Sequence, residues 1–133
     1  MALDRIFNIA SSAMNAQSQR LNVVASNLAN ADSIAGPDGE AYKARQVVFS
    51  AQADNQTPGG VSVSNIVEND SPGKRQYDPK HPFADEQGFI TTSNVNAVEE
   101  MVNMISASRS YQNNIEVMNT AQQLMIKTLQ MGQ

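Results

Sequence analysis

The sequence of 133 residues contains no cysteine and no tryptophan, and aromatic residues make up only 5% of it. The missing cysteine excludes disulfides and thiolate metal ligands, although it leaves the cellular compartment open. His81 is the single histidine. It stands in a proline-rich segment near Asp78, Asp85 and Glu86, and one histidine without cysteine favours a solvated loop over a metal site or a general base.

Recognisable catalytic motifs are also missing. The sequence has no glycine-rich phosphate loop, no nucleophile elbow and no metalloprotease helix. The adjacent acids Asp85 and Glu86 would point to opposite faces of an extended segment, which argues against a paired-carboxylate site. We therefore expect no catalytic residues, no metal, no cofactor and no enzymatic activity.

Long hydrophobic stretches do not occur. No segment approaches the roughly 18 consecutive apolar residues of a membrane span, so we expect no direct membrane insertion. The first residues are unlike a cleavable secretion signal, because Asp4 precedes Arg5 and no apolar core follows. We therefore expect a chain that carries no cleaved signal peptide.

Positive charge is scarce as well. The formal net charge is -4, and Lys74-Arg75 is the only basic pair. Residues 32–96 contain nine acids against five bases and so carry the whole net charge. This distribution offers no basic surface, and we expect no nucleic-acid partner.

Both ends of the sequence are organised as amphipathic helices. Residues 3–31 and residues 97–131 carry apolar side chains every three or four positions, and a stripe of this kind needs a partner helix. We predict a mainly α protein whose long N- and C-terminal helices pair as a coiled-coil-like hairpin. The residues predicted to form this intrachain seam are Leu3, Phe7, Met14, Leu21, Val24, Leu28, Met104, Tyr111, Ile115, Met118, Met125 and Leu129.

The second helix has recognisable ends. Asn96 followed by Glu99 is typical of an N-cap with its capping partner, and Glu100 adds negative charge to the first turn. Gly132 is typical of a residue at which a helix ends. The helix is therefore predicted to run from about residue 97 to about residue 131.

The middle of the chain has the composition of turns and short strands. Turn pairs and β-branched residues predict strands within 42–51, 61–67 and 89–91. We therefore divide the chain into residues 1–35 as the N-terminal helix of a helical core domain, 36–94 as a small β-rich insert, and 95–133 as the C-terminal helix of the core domain.

The helices carry more apolar surface than two helices can cover. Val98, Val102, Ile105, Leu124 and Ile126 lie beside the predicted C-terminal seam and widen it. An ordinary monomeric bundle is one interpretation, and self-association is the other. The outward face of the first helix is rich in uncharged Ser, Asn and Gln, which suits packing by neighbours on several sides as well as a plain solvated face.

Several segments resemble a known family. The run at 19–31, QRLNVVASNLANA, resembles the N-terminal signature of flagellar axial proteins, and the run at 106–121, SASRSYQNNIEVMNTA, resembles their C-terminal signature. Ser93 departs from the pattern, since a proline is expected there. The segments that narrow the resemblance to the flagellar basal-body rod family, and within it to proximal-rod members, are 77–82, 84–89 and 94–96.

The resemblance implies a structural role. Family members assemble helically into a hollow shaft that crosses the periplasm, transmits torque and conducts exported subunits. It implies as partners other copies of the chain, other rod proteins, membrane-ring and rod-ring adaptor proteins, and the flagellar type III export apparatus. On this basis the candidates for contacts between subunits are Asn22, Asn27, Asn30, Arg109, Gln112 and Asn113.

Two other classes of function stay open at this point. A helical adaptor of the export or motor apparatus would not polymerise and would form a complex of fixed stoichiometry. A periplasmic enzyme that opens the cell wall would need convergent acids with shifted pKa values in a cleft, and the sequence offers no such pair.

Overall fold

The computed structural model describes residues 2–37, 39–53, 55 and 58–132. Long helices at both ends flank a small β-rich insert, which confirms the mainly helical class with two terminal helices. In chain order the elements are α1 (Ala2–Ala29), β1 (Arg45–Ala51), β2 (Val61–Glu68), β3 (Arg75–Tyr77), β4 (Phe89–Thr91) and α2 (Ala97–Met131).

The predicted start of the second helix is confirmed by its cap. Asn96 precedes α2, and its Oδ1 atom accepts hydrogen bonds from the amides of Val98 at 3.1 Å and Glu99 at 3.3 Å. These amides have no partner inside the helix, so the cap satisfies groups that would otherwise need water. At 35 residues, α2 is about 52 Å long.

The first two strands form a two-stranded sheet. The Ser64 hydroxyl donates to the Val48 carbonyl at 3.1 Å, and the Gln52 amide donates to the Gly60 carbonyl at 2.7 Å. Residue numbers fall along one strand as they rise along the other, so the pair is antiparallel. Both strands lie where β-branched residues predicted them.

The last two strands form a second antiparallel pair. Gln76 stands opposite Ile90, and Tyr77 stands opposite Phe89. Strand β4 confirms the prediction at 89–91, whereas β3 was not predicted from the sequence. All residues of β3 are exposed, so this strand carries no alternation of buried and exposed side chains for a sequence pattern to reveal.

The chain forms two compact units. The first draws its residues from 1–21, 47–65 and 105–133, and the second from 22–46 and 66–104. Helices α1 and α2 and strands β1 and β2 each contribute residues to both units.

Small side chains dominate the interior of the first unit. Its buried apolar residues are Ala10, Ala16, Ala107 and Ala121, and small side chains allow elements to approach one another closely. In the same unit the Ser12 hydroxyl accepts a hydrogen bond from the Val61 amide at 3.0 Å. The start of β2 is thereby bonded to α1.

The second unit has a mixed interior. Its buried apolar residues are Val24, Ala35, Ala44, Ile90 and Val95. Strand β4 is bordered on its other side by an isolated bridge between Ile34 and Thr92. The segment that follows α1 therefore pairs with β4, which brings Ile90 into the interior.

Replacing Gly88 with alanine is expected to destabilise the chain more than the same change at Gly39. Both glycines have positive φ, of +86° and +80°, so both substitutions strain the backbone by about 1 kcal/mol. Only at Gly88 would the new Cβ also crowd Tyr77 at 3.0 Å and Pro79 at 3.1 Å. We expect Gly88→Ala to lose roughly 2–3 kcal/mol in denaturant unfolding. Equal losses of unfolding free energy for the two variants would show that crowding of Tyr77 and Pro79 by the new Cβ at Gly88 does not destabilise the fold.

Candidate functional site

The first unit carries an open apolar groove of about 440 Å³. Ile6 of α1 forms one side, and residues of α2 one helical turn apart form the other. The lining residues from α2 are Asn113, Glu116, Val117, Thr120, Ala121 and Leu124.

Large apolar side chains line this groove without being buried. Ile6 is 36% exposed, Val117 47% and Leu124 52%. Leu129 and Met131 are also exposed further along α2. Apolar side chains that cluster in a groove and remain exposed to water are candidates for contact with another protein surface. The groove is therefore a candidate surface for binding another helix.

The second unit is held by a buried asparagine. Asn27 is fully buried on α1, and its Nδ2 atom donates to the Arg45 carbonyl at 2.8 Å. Its Oδ1 atom accepts from the Arg45 amide at 3.0 Å and from the Tyr42 hydroxyl at 2.9 Å. One side chain therefore bonds both backbone groups of the first residue of β1, as a neighbouring strand would.

A second asparagine plays the same role before α2. The Asn94 Oδ1 atom accepts from the Ala44 amide at 2.7 Å. Its Nδ2 atom donates to the carbonyls of Asn69 and Ser71, both at 2.8 Å. Asn94 thereby connects the linker before α2 to the residue before β1 and to the loop that follows β2, two segments that are also joined by a bond from the Asn69 amide to the Ala44 carbonyl at 2.8 Å.

Ser93 stands where the family resemblance predicted a proline, and its side chain and backbone both form hydrogen bonds. Its hydroxyl donates to the Ala31 carbonyl at 2.6 Å, and its amide donates to the Ser33 carbonyl at 3.2 Å. Proline has neither donor. The serine therefore bonds the linker before α2 to the segment after α1.

A polar cleft of about 600 Å³ also lies in the second unit. Its walls carry the ion pairs Lys43–Asp70 at 3.4 Å and Arg45–Glu68 at 3.6 Å, and all four side chains are about half or more exposed. Exposed pairs of this kind contribute about 0–1 kcal/mol each. Among the described residues, no group of three or more acids or histidines is arranged to hold a metal ion.

The loop between β3 and β4 is organised by Asp85. Its carboxylate accepts hydrogen bonds from the amides of Phe89 at 2.8 Å and Gln87 at 2.9 Å, and Arg75 donates to it at 3.0 Å. The Phe89 amide is the main cause of a lowered pKa for the Asp85 carboxyl, and the Gln87 amide and Arg75 act in the same direction against desolvation. His81 lies in this loop and accepts a bond from the Phe83 amide.

The residues of the predicted intrachain seam differ in burial. Val24 is buried, whereas Met104, Ile115 and Leu129 are exposed at 39%, 37% and 64%. On α2 the buried residues are instead Glu100, Ala107 and Ala121. The half-buried members of the predicted seam are Leu3, Phe7, Met14, Leu21, Leu28, Tyr111, Met118 and Met125. Their assignment to a seam stays a prediction.

The candidates for subunit contacts also differ. Asn22, Arg109, Gln112 and Asn113 are exposed, and Asn30 is half-buried. Asn27 is fully buried, and both its amide nitrogen and its amide oxygen form hydrogen bonds within its own chain. The sequence placed Asn27 on the outward polar face of the helix. The structure differs, because both ends of its amide form hydrogen bonds inside the chain, with Tyr42 and Arg45.

Sequence reasoning did not find the bonding roles of Asn27, Ser93 and Asn94. Helical spacing identifies apolar stripes, but an asparagine on a polar face gives no sign of which distant backbone group it binds. A signal in the sequence is that asparagine and serine, whose side chains readily bond to backbone groups, concentrate at 26–33 and 93–96.

Comparison with known proteins identifies the family. Residues 7–37 match the family model described as flagella basal body rod protein, and residues 86–131 match the model of the C-terminal region of flagellar basal body rod FlgEFG proteins. The chain is 57% identical to the flagellar basal-body rod protein FlgC of Salmonella typhimurium and 56% identical to that of Escherichia coli O157:H7. Each alignment covers the whole of both chains. The chain belongs to the FlgC family.

More distant members extend the same match. FlgC of Buchnera aphidicola from Baizongia pistaciae is 38% identical over the whole of both chains. The FlgC family is one of structural rod proteins rather than of enzymes. In the described part of the chain, neither helix is apolar enough over a sufficient length to cross a membrane.

Replacing Asn27 with alanine is expected to destabilise the chain by about 2 kcal/mol, because both backbone groups of Arg45 lose this partner and the Tyr42 hydroxyl keeps only its bond with Ser26. Asn22→Ala on the exposed face of the same helix is the control, since it has the same change in helix propensity. Chemical unfolding of both variants measures the difference. If Asn22→Ala were as damaging as Asn27→Ala, the buried network would not be the cause.

Asp85 predicts a specific loss of stability in acid. A lowered pKa means that the folded chain favours the ionised carboxylate, so its contribution is complete above the unfolded value of about 3.9. This contribution is lost as pH falls through the lower folded value. We expect Asp85→Asn to lower Tm at pH 7, and we expect the difference in Tm from wild type to narrow as pH falls below the unfolded pKa. Glu86→Gln is the control, and a difference for Asp85→Asn that did not narrow with falling pH would contradict the assignment.

Proposed function

We propose that the chain is a structural subunit of the proximal rod of the bacterial flagellar basal body. The observation that carries this proposal is identity of 57% across the whole length of a named rod protein. The exposed apolar groove of the first unit supports it, because a subunit of a polymer must present surfaces that only neighbours cover. The subunit would assemble helically with other copies and with other rod proteins.

In this proposal the groove receives a helix from a neighbouring subunit. Val117 and Leu124 lie seven positions apart on α2 and so share one face, and Ile6 of α1 extends this apolar surface. Burying these side chains on assembly would remove their apolar area from water at about 25 cal/mol per Å². The exposed polar candidates Arg109, Gln112 and Asn113 of the same unit would then supply directional bonds at the rim. Asn22 is proposed as a subunit contact of the second unit.

The terminal helices are proposed to pair as a hairpin within each subunit. Its apolar contacts would come from the predicted seam, of which Val24 is buried and most other members are half-buried in the free chain. Residues 1–35 and 95–133 would then form the helical core, and 36–94 would form an insert outside it. Full burial of the exposed seam members Met104, Ile115 and Leu129 would follow only on assembly.

The assembled rod is proposed to be a hollow shaft that crosses the periplasm. It would transmit torque, and its lumen would conduct exported subunits. Membrane-ring proteins, rod-ring adaptors and the type III export apparatus are the proposed partners besides rod proteins. We propose that the subunit leaves the cell through that apparatus without cleavage of a signal peptide, and that its helices become fully ordered only when neighbours cover them.

A charge placed in the groove tests this proposal. Leu124→Asp is expected to abolish swimming and to remove rods from isolated basal bodies, because assembly would bury an unpaired carboxylate. The free chain should keep its Tm within a few degrees, since Leu124 is 52% exposed in it. Swimming assays, electron microscopy and circular dichroism measure these outcomes.

Gln123→Asp is the matched control, because it adds the same charge to the neighbouring exposed position of α2. We expect cells with this variant to swim. Normal swimming with Leu124→Asp would contradict assembly through the groove. Recovery of the wild-type chain only in a soluble complex of fixed stoichiometry would favour a non-polymerising adaptor instead.

A further inference from the structure

The buried polar residues of the second unit are not equally satisfied. Asn27 and Ser93 are fully buried, and their side chains bond to backbone groups around them. Glu100 is only 6% exposed, and its Oε2 atom has no hydrogen-bond partner. A buried carboxylate oxygen without a partner is destabilising, because it has lost water and has gained no bond in return.

The first turns of α2 have an inverted pattern of burial. Val98, Met101 and Val102 are exposed at 70%, 52% and 60%. These residues are three and four positions apart and share one face of the helix. Glu100 lies two positions from Val98 and Val102 and so faces away from them. This segment therefore exposes its large apolar side chains while it buries an acid.

The favourable field at a helix N-terminus does not account for the burial of Glu100. Glu99 lies in the same first turn and carries the same charge, but it is exposed to solvent. An exposed acid already gains the interaction with the helix dipole without losing its hydration. Glu100 is a second acid in the same turn, and unlike Glu99 it loses most of its hydration.

We propose that Glu100 is a weak point that lowers the stability of the first turns of α2 in the free chain. This inference rests on the proposed function, in which the chain passes unfolded through a narrow export channel and becomes fully ordered on assembly. Opening of these turns returns the unpartnered Glu100 oxygen to water, so it is less unfavourable than opening a satisfied helix. The segment thus stays easy to unfold before the subunit reaches its neighbours.

The test compares Glu100→Met with Glu99→Met in the purified full-length chain. Both changes remove one acid from the same helical turn, but only the first removes a buried unpartnered oxygen. We expect Glu100→Met to raise Tm by about 5 °C and to slow amide hydrogen exchange at residues 101–106. We expect Glu99→Met to leave both unchanged or slightly weaker, since it loses only the dipole interaction.

A third variant keeps the test decisive if methionine does not fit the site. Glu100→Gln has nearly the same shape as the wild-type side chain and removes its charge, so it should raise Tm. The increase should be smaller than that of Glu100→Met in the case where methionine fits the site. A Tm for both Glu100 variants at or below that of Glu99→Met would overturn the proposal.

Export provides the link to function. In cells, the ratio of exported to retained chain should be lower for Glu100→Met than for Glu99→Met, because the stabilised chain resists unfolding. Equal ratios together with a raised Tm would overturn the role of Glu100 in export. These readouts are independent of assembly, so failure of the proposed rod function would appear separately, as normal swimming with Leu124→Asp.

Discussion

Hydrogen bonds from two asparagine side chains hold together the part of the chain that regular structure leaves unpaired. Asn27 bonds both backbone groups of Arg45, and Asn94 bonds Ala44, Asn69 and Ser71. Backbone groups removed from water need partners, and short two-stranded sheets provide few of them. These amides therefore add to the few backbone bonds that fix the segments around β1 and β4 in the second unit.

The distribution of apolar residues suits a chain that is completed by neighbours. Alanines fill the interior of the first unit, while larger residues such as Val117 and Leu124 remain half-exposed. Substantial apolar area is therefore still available to stabilise an assembly after the chain has folded. The same distribution limits the stability of the free chain, because a core of small side chains buries little surface. Both consequences fit a rod subunit.

The sequence predicted the positions of the helices and strands better than it predicted which face of each helix is buried. The two helices, the Asn96 cap and strands β1, β2 and β4 were found, because each has a local periodicity or a capping residue. Strand β3 was missed because it is short and exposed on every residue. On α2 the spacing of Met104 and Tyr111 predicted one face, and Glu100 and Ala107 are buried on the adjacent one. A spacing of three and four fits neighbouring registers of one helix equally well.

Local chemistry by itself determined the two long helices, the small β-rich insert and the absence of a recognisable catalytic motif. The motifs at 19–31 and 106–121 also sufficed to indicate a flagellar axial protein, and the segments 77–82, 84–89 and 94–96 narrowed this to the rod family. Only the tertiary structure decided that Asn27 is an internal bonding residue rather than an outward one, that Ser93 bonds to Ala31 and Ser33, and that Glu100 is buried. The physical reason is distance along the chain. Periodicity and capping act over a few neighbouring residues, whereas these side chains are placed by segments many positions away, whose approach no local pattern encodes.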